Sequence, residues 1–366
     1  MSGFFSVDVD SKRVFGLDFL RAFAIICVLY GHAGILLNDT SFDWFASIPM
    51  PHGVDIFFIL SGFLIGNSFM SYIDKYDGVG RTKILNFYSK TALRILPNYY
   101  FMLIINYILV RCLVIPGDIE TFPIWRFATF TQNIVTPFWG FYWESWSLPV
   151  QWWFYIFFPL LLLTFGYFSK PKRYIPWMCV IFVILSIMYR YIIEYHAVNR
   201  FSWDVWIRKT MVSRMENIYI GVFAAWIMHY FKEKWERHAV VSFVMGIVLY
   251  VVTCIIPHEV GSVYYNIVYL TLSAIAIALW LPLFTKWKTC KTCVGGFISR
   301  VSILSYAMFL TNLCVSTIMV NDFSSFVKTH GIWAYLIFWP TVLAVSYLLH
   351  IFIEKPFMKI RERLVL

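Results

Sequence analysis

The 366-residue chain is short of charge. Only 14% of it is Asp, Glu, Lys or Arg, against 60% hydrophobic residues, where a soluble domain is nearer a quarter charged. That shortage, with a mean hydropathy of +0.70, excludes an ordinary soluble fold. Long polar loops and low-complexity stretches are also missing. Residues 1–366 therefore read as one membrane-embedded domain with no attached soluble domain. No removable leader is expected either, because the first apolar run is about 23 residues long and lacks a small-residue cleavage pattern. Cysteines number seven. Cys27, Cys112, Cys179, Cys254 and Cys314 lie in apolar runs and read as small hydrophobes. Cys290-Lys-Thr-Cys293 is the one CxxC. A structural zinc site needs four ligands and no second pair exists, so no metal is expected.

Ten runs of about 20 apolar residues read as membrane spans. They cover roughly 15–37, 54–72, 95–114, 147–168, 175–193, 211–231, 239–256, 265–284, 301–320 and 332–353. The fourth is interrupted by Pro149 and Pro159, and the ninth opens on polar residues. The expected fold class is all-α: a polytopic transmembrane helix bundle of about ten spans. Numbering the loops alternately from the N-terminus puts 21 of the 30 Lys and Arg residues in one set and 5 in the other. By the positive-inside rule both termini then face the cytoplasm. The basic residues are spread over six loops, so the net charge of +10 is mostly topology, and no nucleic-acid partner is expected. The lipid bilayer is the implied surrounding. Nothing in the sequence fixes an oligomeric state.

Several polar residues interrupt the apolar runs. Asp18, Arg21 and His32 fall in the first span. A charge at bilayer depth costs at least ~2.5 kcal/mol on insertion scales, so such residues default to a functional reading. Arg21 and His32 are eleven positions apart, close to three helical turns, which puts both on one face with His32 roughly 16 Å further along. Asp55 begins the second span, at a depth similar to His32. It reads either as a carboxylate that fixes the tautomer of His32 or as a hydrated interfacial aspartate. The same span carries Ser61 and the small-residue pair Gly62 and Gly66, which lets a neighbouring helix pack closely. Lys90 and Arg94 share a face if their loop is helical. They read as topology or lipid-headgroup charges, or as ligands of a phosphorylated cofactor. From Trp139 to Trp153 come six tryptophans and tyrosines, with Glu144 among them. They read as an interfacial belt or as a sugar-stacking surface. Arg214 and Glu216 open the sixth span, where pairing with other helices is one reading.

With these residues in view the chain resembles the acyltransferase-3 family of integral membrane acyltransferases over its whole length. The family's opening signature, a basic residue, ten positions and a histidine, matches Arg21 and His32 within Gly16-Leu17-Asp18-Phe19-Leu20-Arg21. Its second-span pattern is similar to Gly53 through Phe63, its basic loop to Lys90 through Pro97, and its Trp-Ser-Leu block to Trp146 through Tyr155. Arg214 to Gly221, Ser305-Tyr306 and Glu354-Lys355-Pro356 match its later elements. There are three departures. Gln151 stands at the acidic position of the Trp-Ser-Leu block, the basic loop is thinned to Lys90 and Arg94, and Asn312 stands where relatives often carry histidine.

The resemblance implies transfer of an acyl group, most often acetyl, from acetyl-CoA or another acyl-CoA to a hydroxyl. The acceptor is a glycan or lipid-linked oligosaccharide, such as O-antigen or another polysaccharide, at the bacterial inner membrane. His32 is then the catalytic histidine, with Asp55 beside it, and Arg21, Lys90 and Arg94 hold the CoA end. Asp18, Ser61, Trp146, Gln151, Tyr155, Arg214 and Glu216 position substrate. Gln151 is expected near Asp55 and His32. An imidazole, with an ordinary pKa of about 6.5, suits general-base work near neutral pH. The route is either direct attack by the acceptor or passage through an acylated His32. The soluble-type His-x-x-x-x-Asp motif is missing: five residues beyond His32 and His52 stand Leu37 and Phe57. A transporter or exporter with an intramembrane Asp/Arg/His relay is the rival reading, although no internal repeat of the kind transporters often show is visible.

Overall fold

The computed structural model describes residues 13–38, 40–76, 80–168 and 170–363, together with 7 and 78. Lys12, one of the basic residues used for orientation, lies outside them. Among the described residues the secondary structure is helical throughout, with no strand. In hydrocarbon each backbone N–H and C=O must be paired internally, and a helix does this within one segment.

The main helices are α1 (Phe15–Ala33), α2 (Gly53–Tyr76), α3 (Arg81–Arg111), α4 (Ser147–Phe168), α5 (Pro171–Ile193) and α6 (Met211–Tyr230). They are followed by α7 (Ala239–Ile255), α8 (Tyr269–Ala278), α9 (Cys293–Asp322), α10 (Ser324–Leu349) and α11 (Lys355–Arg363). Eight helical segments among the described residues are long and apolar enough to cross a membrane. Two of the ten expected spans fall outside that set. α6 carries Arg214 and Glu216 near its start, and α7 has only 17 residues.

Other departures have local causes. The fourth span is one helix: Pro149 sits in the first turn of α4, where no helical N–H is lost, and Pro159 lies inside the helix without ending it. α3 begins well before residue 95 and contains Lys90 and Arg94, so the basic loop is helix. α9 begins eight residues early, at a Thr292 cap whose side chain accepts from the Gly295 N–H at 3.1 Å.

α2 lies at the centre and packs along α6. α6 also packs on α5, and α1 rests on α9 and α2. The α2–α6 crossing depends on two glycines. A methyl group on Gly62 would meet the Ile218 carbonyl, and one on Gly221 would meet the Ile59 carbonyl. Buried charges pin the same helices. Arg190 of α5 bonds both oxygens of Glu216 on α6, at 2.5 and 3.0 Å, and Thr271 of α8 at 2.7 Å. Arg214 of α6 pairs with Asp55 of α2. All four charged side chains are buried. Breaking such a pair typically costs ~3–5 kcal/mol, because the remaining charge is left uncompensated.

The bundle has two ends. α1 and α3 start at the basic end, near Arg13 and Arg81. The other, tryptophan-rich end carries the short turn Trp143–Trp146 and the start of α2.

Candidate active site

His32 is placed in the last turn of α1, half-buried. Its Nδ1 lies 2.5 Å from Asn312 Oδ1 on α9. Asn312 is fully buried, and its amide nitrogen donates to Met308 O at 3.0 Å and Phe309 O at 2.7 Å. Both amide hydrogens are thereby committed, and flipping the amide would oppose its oxygen to two carbonyls. The group facing His32 is therefore an acceptor. It follows that Nδ1 carries the proton and Nε2 keeps the basic lone pair.

His32 lines a cavity of about 810 Å³ at the tryptophan-rich end. Its wall includes His52, Glu144, Trp146, Arg208 and Lys209. Asp204–Arg208 form one π-helical turn, and the Asp204 carboxylate holds both Arg208 and Lys209, the latter at 2.6 Å. Burial opposes ionisation of Asp204, but these two cations outweigh it and keep the carboxyl well below the usual range. Burial, and then the neighbouring Arg208, push the Lys209 amine down to about 8. The same two causes hold His52 down at about 4, so it is neutral near pH 7. Lys209 Nζ lies 4.4 Å from the Trp143 ring centre. The buried Asn133 ties the two cavity-lining segments together, donating to Trp146 O at 2.7 Å and Lys209 O at 2.6 Å.

A second cavity of about 650 Å³ enters from the basic end. Arg13, Arg21, Arg94 and Arg361 line it, a cation set suited to a polyphosphate. Asp18 lies beneath them. It pairs with Arg13 and Arg21 and accepts from Ser302 Oγ at 3.0 Å. The two cavities share Val54 and Phe309 in their walls. The one stripe of α1 thus presents Arg21 to one cavity and His32 to the other.

The structure places the remaining expected site residues differently from one another. Trp146 lines the His32 cavity. Ser61, Gln151 and Tyr155 line the basic-end cavity, with Tyr155 donating to Gln151 Oε1 at 2.9 Å. Gln151, expected near Asp55 and His32, thus lies near the tryptophan-rich start of α4 but lines the basic-end cavity. Lys90, one turn before Arg94, is not in the wall. The expected Asp55–His32 pairing is replaced by two other contacts: Asp55 meets Arg214 across the α2–α6 crossing, and His32 meets Asn312. A carboxylate buried this deeply is held by the nearest cation, and Asp55 faces α6 rather than α1. Glu216 is likewise taken up by Arg190. Asp55, Arg214 and Glu216 lie in neither wall. Reading the sequence missed the Asp204–Arg208–Lys209 turn and Asn133. Their only signal was polarity next to a tryptophan-rich stretch. Among the described residues, no three His, Cys, Asp or Glu side chains gather as a metal site would require.

The chain is 28% identical over 381 aligned positions to the Staphylococcus aureus (strain COL) protein named "Putative O-acetyltransferase SACOL0978". The alignment covers 94% of this chain and 57% of that protein. It is 26% identical over 302 positions to "O-acetyltransferase OatA" of Staphylococcus aureus (strain NCTC 8325 / PS 47), covering 75% of this chain and 47% of that one. The chain thus spans about half the length of the curated relatives it matches. No solved structure matches. A family model described as "Acyltransferase domain" (Acyl_transf_3) matches residues 14–351, and the chain belongs to that acyltransferase-3 family.

Proposed function

We propose that the chain is a membrane O-acyltransferase that moves an acetyl group from acetyl-CoA to a hydroxyl of a surface glycan, an O-antigen or other polysaccharide, at the bacterial inner membrane. One observation carries this reading. A histidine with its Nε2 lone pair free lines one cavity, an arginine-lined cavity enters from the opposite end, and the two share a wall at Val54 and Phe309. In this reading the basic end faces the cytoplasm. Arg21, Arg94, Arg13 and Arg361 bind the phosphates of the donor, and its pantetheine arm extends along α1 toward His32. From Arg21 to His32 is roughly 16 Å along the helix, a distance an extended arm can cover.

The chemistry balances without another reactant. His32 Nε2 takes the proton of the acceptor hydroxyl. The oxygen attacks the thioester carbonyl carbon, a C–O bond forms and the C–S bond breaks. The thiolate leaves and takes the proton back from His32. Asn312 holds the imidazole in the required tautomer throughout and stabilises the transient imidazolium. Gln151 and Tyr155 lie on the donor side and orient the arm rather than the acceptor.

The experiment is His32→Ala in the full chain. Insertion and thermal stability should be retained, and acetylation of the surface polysaccharide, read by mass spectrometry, should vanish. Near-normal acetylation by this variant would sink the catalytic role.

A further inference from the structure

We infer that Tyr142 and Glu144 form a hydroxyl-binding subsite of the His32 cavity, one that receives a sugar ring of the acceptor. This rests on the acyltransferase reading and adds to it the kind of group the cavity selects.

Glu144 is 3% exposed and Tyr142 4% exposed. Both line the His32 cavity. No protein group hydrogen-bonds to Glu144 Oε1 or to the Tyr142 hydroxyl. Buried polar atoms are nearly always paired, and two orphans in one cavity wall point to a ligand that pairs them. Hydroxyl groups suit both atoms, because a carboxyl oxygen accepts, a protonated carboxyl or a phenol also donates, and a hydroxyl does either.

The backbone is held in place for the purpose. Tyr142 has φ 44° and ψ 57°, the left-handed region that an L-residue other than Gly, Asn or Asp seldom adopts. Such a conformation persists only where its surroundings over-determine it, and it clusters at ligand sites. The surroundings here do so. The Tyr142 ring stacks on Tyr99 with centroids 5.9 Å apart. Gln132 donates to Ser145 O at 3.3 Å, and Asn133 to Trp146 O at 2.7 Å. The left-handed residue starts the turn that carries Glu144 into the wall.

The charges determine what fits. Asp204, the other carboxylate in this wall, is taken up by Arg208 and Lys209. Glu144 is therefore the carboxylate left to a ligand. Trp143 and Trp146 flank it in sequence, with Lys209 and Arg208 over their rings, so these cations of the wall are held to one side of the turn. A ring with free hydroxyls satisfies Glu144 and Tyr142 together. His32 then deprotonates one hydroxyl while Glu144 holds another.

The test uses the purified full chain, acetyl-CoA, and surface polysaccharide extracted from cells that lack this gene. Glu144→Ala should raise the KM for polysaccharide about tenfold or more, a loss of ~1.4 kcal/mol per factor of ten. Glu144→Gln, which keeps an accepting oxygen, should raise it only a few-fold. Tyr142→Phe keeps the ring and should give a rise of about three- to tenfold, and it reports on the subsite even if Glu144→Ala fails to fold. The KM for acetyl-CoA is followed in parallel, because a merely structural role would move both constants together. An unchanged polysaccharide KM in Glu144→Ala and Tyr142→Phe, or equal shifts in both constants, overturns the subsite. Absence of any transfer by the unaltered chain overturns the acyltransferase reading itself.

Discussion

Asn312 offers the sharpest test of how His32 is prepared for catalysis. Consider Asn312→Leu, which keeps the bulk in a fully buried position. The carbonyls of Met308 and Phe309 lose only the amide's extra bonds, at 3.0 and 2.7 Å, and remain in the helix ladder. His32 loses more. Its Nδ1–H was held at 2.5 Å and is left facing an apolar side chain. An unsatisfied buried donor costs ~1–3 kcal/mol, and that free energy now disfavours the tautomer with a basic Nε2. At about 1.36 kcal/mol per factor of ten, turnover should fall roughly 5- to 150-fold. The KM values should move little, since Asn312 is in neither cavity wall. The assay is transfer of radiolabelled acetyl from acetyl-CoA to polysaccharide by purified protein, with thermal melts as the folding control. Turnover within twofold of the unaltered chain would refute the assignment of the tautomer to Asn312.

Other expectations follow from the same contacts. Arg21→Ala and Arg94→Ala should each weaken acetyl-CoA binding about tenfold, with the more exposed Arg94 showing the steeper salt dependence in titration calorimetry. Unchanged affinity in both would make them structural charges only. Gly62→Leu should lower stability by ~3 kcal/mol or more, because the new side chain enters the Ile218 carbonyl. A melting temperature equal to that of the unaltered chain would contradict the close crossing. Lys209 should leave a mark on the pH dependence. Its amine titrates at about 8 in the folded chain against an ordinary 10.5. Between those values the unfolded chain holds a proton that the folded one lacks, so this group makes stability rise with pH across the window and is at its most unfavourable below it. Lys209→Met should flatten that slope in melts from pH 8 to 10.5, and an unchanged slope would count against the buried placement.

Much of the site was legible because α1 carries it in one run. The eleven-residue spacing of Arg21 and His32 predicted one face, and that face meets both cavities. The glycines of α2 likewise announced a close neighbour. What could not be read was pairing across long separations. The sequence shows that Asp55, Arg214, Glu216 and Arg190 are charges in apolar surroundings. Which neutralises which depends on helix rotation, and the rotation of α2 turns Asp55 to Arg214 rather than to His32. Asn312 lies 280 residues from its partner. Gln151, expected near His32, lines the other cavity for a related reason: about one turn separates it from Trp146, and the boundary between the cavities falls within that turn.

The wall that the two cavities share has an electrical consequence. A membrane potential falls mainly across low-dielectric material, and between these polar hollows that material is the side chains of Val54 and Phe309. The voltage is therefore concentrated there, at ~2.3 kcal/mol for each unit charge moved through 100 mV. In the proposed reaction the thioester end of the donor's arm is neutral and reaches across this septum without working against the field. The donor's phosphates stay on the arginine side, and the sulfur, which recovers a proton from His32, withdraws across the septum as a neutral thiol. Such a transfer would leave the cell's energised state undisturbed, which carriage of a whole anionic donor would not.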